Sequence, residues 1–512
     1  MPDINFELSE KPPIFDNVHG FIHLTDLEWE IVNSRPFQRL RNIKQLGLTN
    51  LVFPGATHTR FSHSIGVLHI ASEIVDSLMH RHRKDDDFSD IDKELVRLAA
   101  LLHDIGHYPL SHIVEGVVKE HTDNLSIPSP NEVQVAAEET NPDIIKIQNS
   151  EAHKLNCNIH GGGDYANHER IATLVIFNTE IYKILRRNKI SSTKIENICR
   201  IITGKYPGPE NSFIHSELDA DRFDYLLRDS YNTGVGYGKF DLKQIIRHLD
   251  FKSYNFPNPG EEEEHASGLV IRKKGQRAVE DYLISRYFLY NTVIYQKANI
   301  GFHKMMEIIY KGLIERKKVF HYGDLVGIFD DYRKIDLYMN FDDLYLDNIL
   351  RRIQQNEIGL ETGEKYKIKQ PFLKELIARI INREPLKLVN STSTIRQQNS
   401  ASEPWGFLNQ GKRDEVGSNA GIVKNWIIAS EIVTGVTKVN PKLFLMQSEA
   451  VHELIREKIK VYDPDESSSN TLSLLTDDES SIIRELVDKE LVIRNLYTKN
   501  EEYKRKILPY CR

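Results

Sequence analysis

The run HDIGHYPLSH at residues 103–112 closes an apolar stretch beginning near Leu95 and sets His103 beside Asp104 where a core helix is expected. Burying an ionisable pair there is costly unless something compensates. Leu98, Ala99, Leu101 and Leu102 argue against a solvated surface, and no Lys or Arg follows within the motif to form a simple ion pair. A divalent cation is the simplest compensation. It calls for further ligands from other segments, with positions left open for water and substrate. His63 in THTRFSHSIG and Asp221 in SELDADRFDYLLRD are the candidates on either side. A lone buried histidine is more often a hydrogen-bonded core residue, but an adjacent His–Asp pair is a rarer pattern.

His107 lies four residues beyond His103 and returns to the same helical face. Gly106 and Pro109 then bend or end the helix, so His112 approaches the same cavity from another direction. Imidazoles titrate near neutrality, which suits proton transfer. Leu218, Asp221 or Arg222, Tyr225 and Asp229 fall on one helical stripe. An amphipathic helix would do the same, yet the charges between Asp219 and Asp229 crowd a face that should then be apolar.

With these residues in view, the chain resembles the HD-domain phosphohydrolase superfamily, in which a divided H…HD…D set holds a metal. More closely, RLRNIKQLG, VFPGATHTRFSHSIGV, HDIGHYPLSH, HERIA and LDADRFDYLLRD are similar to deoxynucleoside triphosphate triphosphohydrolases, from about residue 15 to about residue 310, with weaker echoes to about residue 462. The HD pair alone would not separate these from cyclic-nucleotide phosphodiesterases or alarmone hydrolases. The resemblance implies that His63, His103, Asp104 and Asp221 ligate a divalent metal (Mn, Mg, Fe, Zn or Ni). It makes His107, His112 and His168 the catalytic imidazoles and Glu169 their orienting carboxylate. Arg60 matches a phosphate contact, Gln45 and Asp229 the pair on the sugar 3′-hydroxyl, and Tyr225 a further substrate contact. Arg222 stands where a Lys is common, which keeps the charge but changes its geometry. Arg286 and Lys297 are matched as substrate contacts, and aligning on them puts Ile294 where the family packs a Tyr on the sugar, with Tyr295 beside it. Asn33 occupies the family's acidic activator position, with Gln38 and Arg41 retained; a neutral amide cannot offer a guanine edge the same paired acceptors.

The implied reaction is hydrolysis of dNTPs to deoxynucleoside and inorganic triphosphate. Water must be activated, the anion neutralised and the leaving 5′-oxygen protonated. The cation serves the first two needs, and Arg60 and Arg222 add fixed charge to the phosphate tail. His112 is assigned as general acid and His107 as support for water or phosphate, with His168 and Glu169 setting its tautomer; exchanging His107 and His112 contradicts nothing in the sequence. Alternatives are another nucleotide, a single-stranded nucleic-acid end, or a nucleotide-sensing module with little turnover. A homo-oligomer (dimer, tetramer or hexamer) and a nucleotide activator are the partners implied beside dNTP substrates.

At 512 residues, 40% hydrophobic and 28% charged, the chain can bury a large core. No basic segment followed by an apolar one opens it, and no apolar run is long enough to span a bilayer, so a cytoplasmic protein without membrane association is expected. The net charge of −7 argues against broad nucleic-acid binding, although RPFQRLRNIK and IRKK are local basic clusters. Cys157, Cys199 and Cys511 lack CxxC spacing and read as reduced thiols. TGVGYGKF reads as a flexible turn, and HGGGD has no GxSxG elbow to partner it.

The fold class is mainly α: a helical HD-type core with small β-hairpin elements and an α-rich C-terminal region. Helices are expected near Asp26 to Asn33, Ile65 to His82, Asp92 to Asp104, His168 to Arg187, Lys194 to Thr203 and Asp219 to Tyr231. Leu249 to Lys274 reads as a hairpin, and Arg277 to Arg316 as one long helix or two joined ones. The expected organisation is a core over 1–320 with an insertion at about 119–166, a helical extension over 321–389, a linker over 390–420, and a helical region over 421–512 with helices near Ser448 to Lys460 and Glu479 to Lys499.

Overall fold

Two short strands, β1 (Ile14–Asp16) and β2 (Gly20–Ile22), pair antiparallel and lead into α1 (Asp26–Val32) and α2 (Arg35–Arg39). Thr25 starts α1 with a capping box: its hydroxyl accepts the Glu28 N–H, while the Glu28 carboxylate accepts the Thr25 N–H. The computed structural model describes residues 8–82, 91–125, 127, 146–256, 264–363, 365–397, 427–435, 460–462, 473–474, 489–498 and 501–507.

The body is mainly α, as the sequence predicts. Its axis is α3 (Arg60–Arg81), packed against α4 (Lys93–Leu102) and against a later helix of the Asp221 segment. Val67, Ile70, Ala71, Ile74 and Leu78 of α3 are buried at helical spacing, and each Val, Ile or Leu among them contributes about 1.5–3 kcal/mol by leaving water. His63 continues that buried stripe by one turn. Its imidazole is therefore held in the core rather than offered to solvent.

Helix α4 ends at Leu102, so His103 and Asp104 occupy the turn after it rather than the helix body the sequence predicts. Leu110 and Ser111 then adopt φ of 54° and 55°, a conformation that costs a non-glycine residue about 1–3 kcal/mol. The turn is held by the Leu110 N–H donating to Asp343 at 2.7 Å and the Ser111 hydroxyl donating to the Lys44 carbonyl at 2.9 Å. It reverses the chain so that α5 (His112–Asn124) begins at His112.

Then follow α6 (Glu151–His160), α7 (His168–Asn178), α8 (Glu180–Arg187), α9 (Ser192–Ile202), α10 (Ala220–Thr233) and α11 (Leu242–His248). The single helix expected from His168 to Arg187 is two, because Thr179 is extended and its hydroxyl caps the second by accepting from the Ile181 N–H. The expected hairpin is present: β3 (Leu249–Phe256) pairs antiparallel with β4 (Glu264–Arg272), from Leu249 opposite Ile271 to Phe256 opposite Glu264. Helix α12 (Gln276–Leu289) and helix α13 (Lys297–Ile314) are joined by a π-helical turn at Tyr290–Ile294, in which the Tyr295 N–H reaches the Tyr290 carbonyl at 2.8 Å. Such turns displace side chains from the regular helical path.

Near the C-terminus the described residues include strands where helix or linker was expected. Running from the end of the expected helical extension into the expected linker, β5 (Lys387–Gln397) forms a three-stranded antiparallel sheet with β6 (Ile427–Gly435) and, between them, β9 (Lys489–Thr498). A helix expected to Lys499 therefore gives way to strand from Lys489 onward: LVIRNLY is rich in residues that pack well on a pleated surface, and two partner strands satisfy its backbone. Two shorter strands, β7 (Lys460–Tyr462) and β8 (Ser473–Leu474), extend the β3–β4 sheet. The helix expected over Ser448 to Lys460 lies outside the described residues, apart from Lys460 in β7, as do the middle of the 119–166 insertion and Cys511.

Candidate active site

His63 sits one turn into α3, and its Nδ1 meets Asp224 Oδ2 at 2.7 Å. That bond leaves Nε2 as the free edge. His103 is oriented in the same way, with Nδ1 donating to the Ala100 carbonyl at 2.8 Å. Neither Nε2 has a hydrogen-bond partner, and both are buried. Around them stand two carboxylates: His63 Nε2 is 3.0 Å from Asp221 Oδ1 and 3.6 Å from Asp104 Oδ2, while His103 Nε2 is 3.4 Å from Asp104 Oδ1 and 3.9 Å from Asp221 Oδ1. Donor atoms that share one ion at about 2.1 Å each lie about 3–4 Å from one another. Two orphaned imidazole edges facing two carboxylates therefore fit a divalent cation.

The electrostatics agree with anionic ligands. Burial pushes the Asp104 carboxyl upward, but Arg60, His103 and His107 outweigh it and hold the group well below the usual carboxylate range. Asp221 behaves likewise, with His63 as the largest opposing influence. Asp224 is buried between His63, His19 at 2.6 Å and Arg228 at 2.8 Å, and Arg228 is also paired with Asp16. The β1–β2 hairpin is thus tied to the carboxylate that aims His63.

Beside this cluster three imidazoles meet. His107 stacks on His168 with ring centres 3.9 Å apart, and His112 lies edge-on to both. One carboxylate holds two of them: Glu115 Oε2 is 2.7 Å from His112 Nδ1, and Glu115 Oε1 is 2.8 Å from His168 Nδ1. Burial lowers the affinity of His168 for its proton, but Glu115 overrides it and raises the ring to about 9. Burial and the Arg60 charge push His107 well down, so that ring stays neutral. The carboxylate orienting His168 is Glu115, not Glu169, whose side chain instead accepts from Asn167 at 3.3 Å.

A cavity of about 520 Å³ opens on both clusters, within the range of small-molecule sites. Of the residues singled out from sequence, His103, Asp104, Asp221 and Arg60 line its charged end, with His107, His112, His168 and Glu169 beside them. Gln45, Tyr225 and Asp229 line it too, and the π-turn delivers Tyr290, Ile294 and Tyr295. His63 does not line the cavity. Three expected contacts are absent from the lining. Arg222 is turned onto Asp219 and the Ser216 carbonyl, Arg286 donates to Glu217 at 2.8 Å, and Lys297 heads α13 with its carbonyl accepting from the Tyr497 hydroxyl at 2.7 Å. Buried Glu217 draws one guanidinium and lies near the other, because an unpaired charge there would be costly. Arg60 is also engaged, donating to Asp104 at 2.7 Å and Ser111 at 3.1 Å.

Sequence reasoning missed Glu115, Asp224, His58, whose Nε2 lies 2.7 Å from Asp229 Oδ1, and His215, which lines the cavity with its Nε2 2.8 Å from the Ile202 carbonyl. Glu115 follows His112 by three residues and Asp224 follows Asp221 by three, a spacing that also fits an ordinary polar helix face. Cys157 and Cys199 are buried free thiols, and no described helix is long and apolar enough to cross a membrane.

Residues 60–229 match the HD domain family. This chain carries an HD domain. It is 33% identical over 320 residues to an uncharacterized protein of Bacillus subtilis, covering 62% of this chain and 58% of that one. It is 30% identical over 228 residues to the deoxynucleoside triphosphate triphosphohydrolase SAMHD1 homolog of Dictyostelium discoideum, covering 43% and 36%. A hypothetical protein from Aquifex aeolicus shares the fold with a TM-score of 0.62 at 26% identity, over 98% of this chain and 100% of that one. The chain spans about half the length of the curated relatives it matches. The HD domain therefore contains both histidine clusters, from Arg60 at the start of α3 to Asp229 on α10.

Proposed function

We propose that the HD domain is a metal-dependent phosphohydrolase that converts deoxynucleoside triphosphates to deoxynucleoside and inorganic triphosphate. The observation that carries this reading is the placement of two orphaned imidazole edges and two carboxylates next to three imidazoles, two of them aimed by Glu115, at one end of a cavity that all but His63 line. His63, His103, Asp104 and Asp221 would hold the cation, which supplies charge withdrawal from the phosphoryl group and a more acidic water. Similarity to the SAMHD1 homolog supports the choice of substrate.

The chain's own groups do the rest. His112 is exposed and donates its Nδ1–H to Glu115, so Nε2 faces the cavity and, when the ring is the imidazolium, its N–H is the proton offered to the leaving 5′-oxygen. Charged His168 neutralises phosphate oxygens, neutral His107 offers a ring nitrogen to water or phosphate, and Arg60 braces Asp104 while presenting positive charge to the cavity. Gln45 and Asp229 take the sugar 3′-hydroxyl, with Tyr225 beside it.

A second reading, hydrolysis of a cyclic nucleotide, is favoured by one observation. Arg60 is the sole Arg or Lys among the described lining residues, which is little fixed charge for a triphosphate tail. Purified protein with manganese or magnesium, given dNTPs, rNTPs and cyclic nucleotides singly and mixed, separates the two. Inorganic triphosphate with deoxynucleoside is the expected product; monophosphates alone favour the second reading, and no turnover of any nucleotide by metal-loaded protein contradicts both.

A further inference from the structure

His58 lies on the extended segment just before α3, is buried, and links the two residues assigned to the sugar. Its imidazole Nε2 is 2.7 Å from Asp229 Oδ1, across 171 residues of sequence. Its carbonyl accepts the Gln45 N–H at 3.0 Å. The neighbouring rung is fixed as well: Lys44 and Thr59 form an antiparallel bridge, and the Arg60 N–H donates to the Ile43 carbonyl at 2.9 Å. Gln45 and Asp229 line the cavity, while His58 stands behind them. Gln45 Oε1 is buried without a hydrogen-bond partner.

We infer that His58 is a positioning residue that holds Asp229 and Gln45 as a paired contact for the 3′-hydroxyl, and so sets the preference for nucleotides that carry one. This rests on the reading of that pair given above. A hydroxyl offers one donor and accepts in turn. By occupying Oδ1, His58 stops the carboxylate from rotating and leaves Oδ2 as the acceptor for the hydroxyl proton. By holding the Gln45 backbone, it keeps the opposite amide within reach. Loss of the imidazole frees the carboxylate without removing any group that touches substrate.

The test is calorimetric binding of dATP and 2′,3′-dideoxy-ATP to the full chain in calcium, beside the bound-metal content and melting temperature of each variant. Wild type is expected to bind dATP about tenfold more tightly than the dideoxy compound, the size of one hydrogen bond to a charged group. His58→Leu should bind both alike at the weaker level with metal content unchanged, and His58→Gln, whose amide can donate to Asp229, should recover most of the difference. If His58→Leu does not fold, His58→Asn, too short to reach Asp229 from the same backbone, decides in its place. A preference that survives in whichever of these folds overturns the role of His58 while leaving the Asp229–Gln45 pair intact. Absence of any preference in wild type overturns the sugar assignment and His58 with it. A preference that behaves as expected, with no triphosphate released from dNTPs, supports His58 and defeats the proposed reaction instead.

Discussion

Glu115 Oε1 lies 2.8 Å from His168 Nδ1, although 53 residues separate them, while its other oxygen meets His112 on its own helix at 2.7 Å. One buried carboxylate thus joins α5 to α7 and gives two imidazoles a common orientation. Both rings spend Nδ1 on Glu115, so both keep Nε2 for other chemistry.

Glu115→Gln keeps the shape and removes the charge. Loss of such an orienting group lowers activity by about 10–100-fold, and turnover of the preferred nucleotide should fall by that much with metal content unchanged. His168 is held near 9 by Glu115, so the alkaline limb of the rate profile should move to lower pH. A profile identical to wild type would mean that His168 does not act as a charged group.

Asp104→Ala should lose bound metal as well as turnover, whereas His112→Ala should retain metal and lose activity. Elemental analysis of both purified variants beside their rates makes the comparison. Equal metal loss would contradict the division of ligands from proton donors.

The Glu115–His168 pair also predicts how stability follows pH. The His168 contribution is complete below the unfolded value of about 6.5 and is lost as pH rises through about 9. Burial raises Glu115, but His168 and His112 overcome it and hold it well below 4.5, so its contribution is present above 4.5 and is lost in acid. Denaturation of the apo-protein should therefore show a slope between about pH 6.5 and 9 that flattens in Glu115→Gln.

Two glycines should respond in opposite ways to alanine. A Cβ on Gly106 would collide with the His168 carbonyl and the Ala172 backbone, and neither can move without displacing α7; Gly106→Ala should cost about 1–3 kcal/mol or more. Gly116 is exposed in mid-α5 with nothing within 4 Å of a new Cβ, so Gly116→Ala should add about 0.5–1 kcal/mol. Chemical denaturation of each variant measures both.

Much of the architecture was legible because it is local. The buried stripe of α3, the acidic cap and apolar run of α4 and the turn-rich hairpin after Leu249 follow from periodicity over a few residues. β9 was misread because LVIRNLY suits helix or strand, and its choice depends on β5 and β6, which lie far away in sequence. The break at Thr179 was missed because a single hydroxyl outweighed an otherwise continuous pattern.

At the site, residue type and spacing marked His103 and Asp104 as a candidate metal-binding pair with His107 and His112 close by, since spacing along a helix or across a short turn is fixed by backbone geometry, while His63 and Asp221 entered as candidates whose place beside that pair only the resemblance implied. Only the tertiary structure decided which carboxylate meets which ring: Glu115 rather than Glu169 on His168, and Asp224 behind His63. It also turned Arg222 toward Asp219 and Arg286 toward Glu217 instead of the cavity. A charge in sequence has a sign but no direction; its direction is set by whichever opposite charge is buried beside it when distant helices pack.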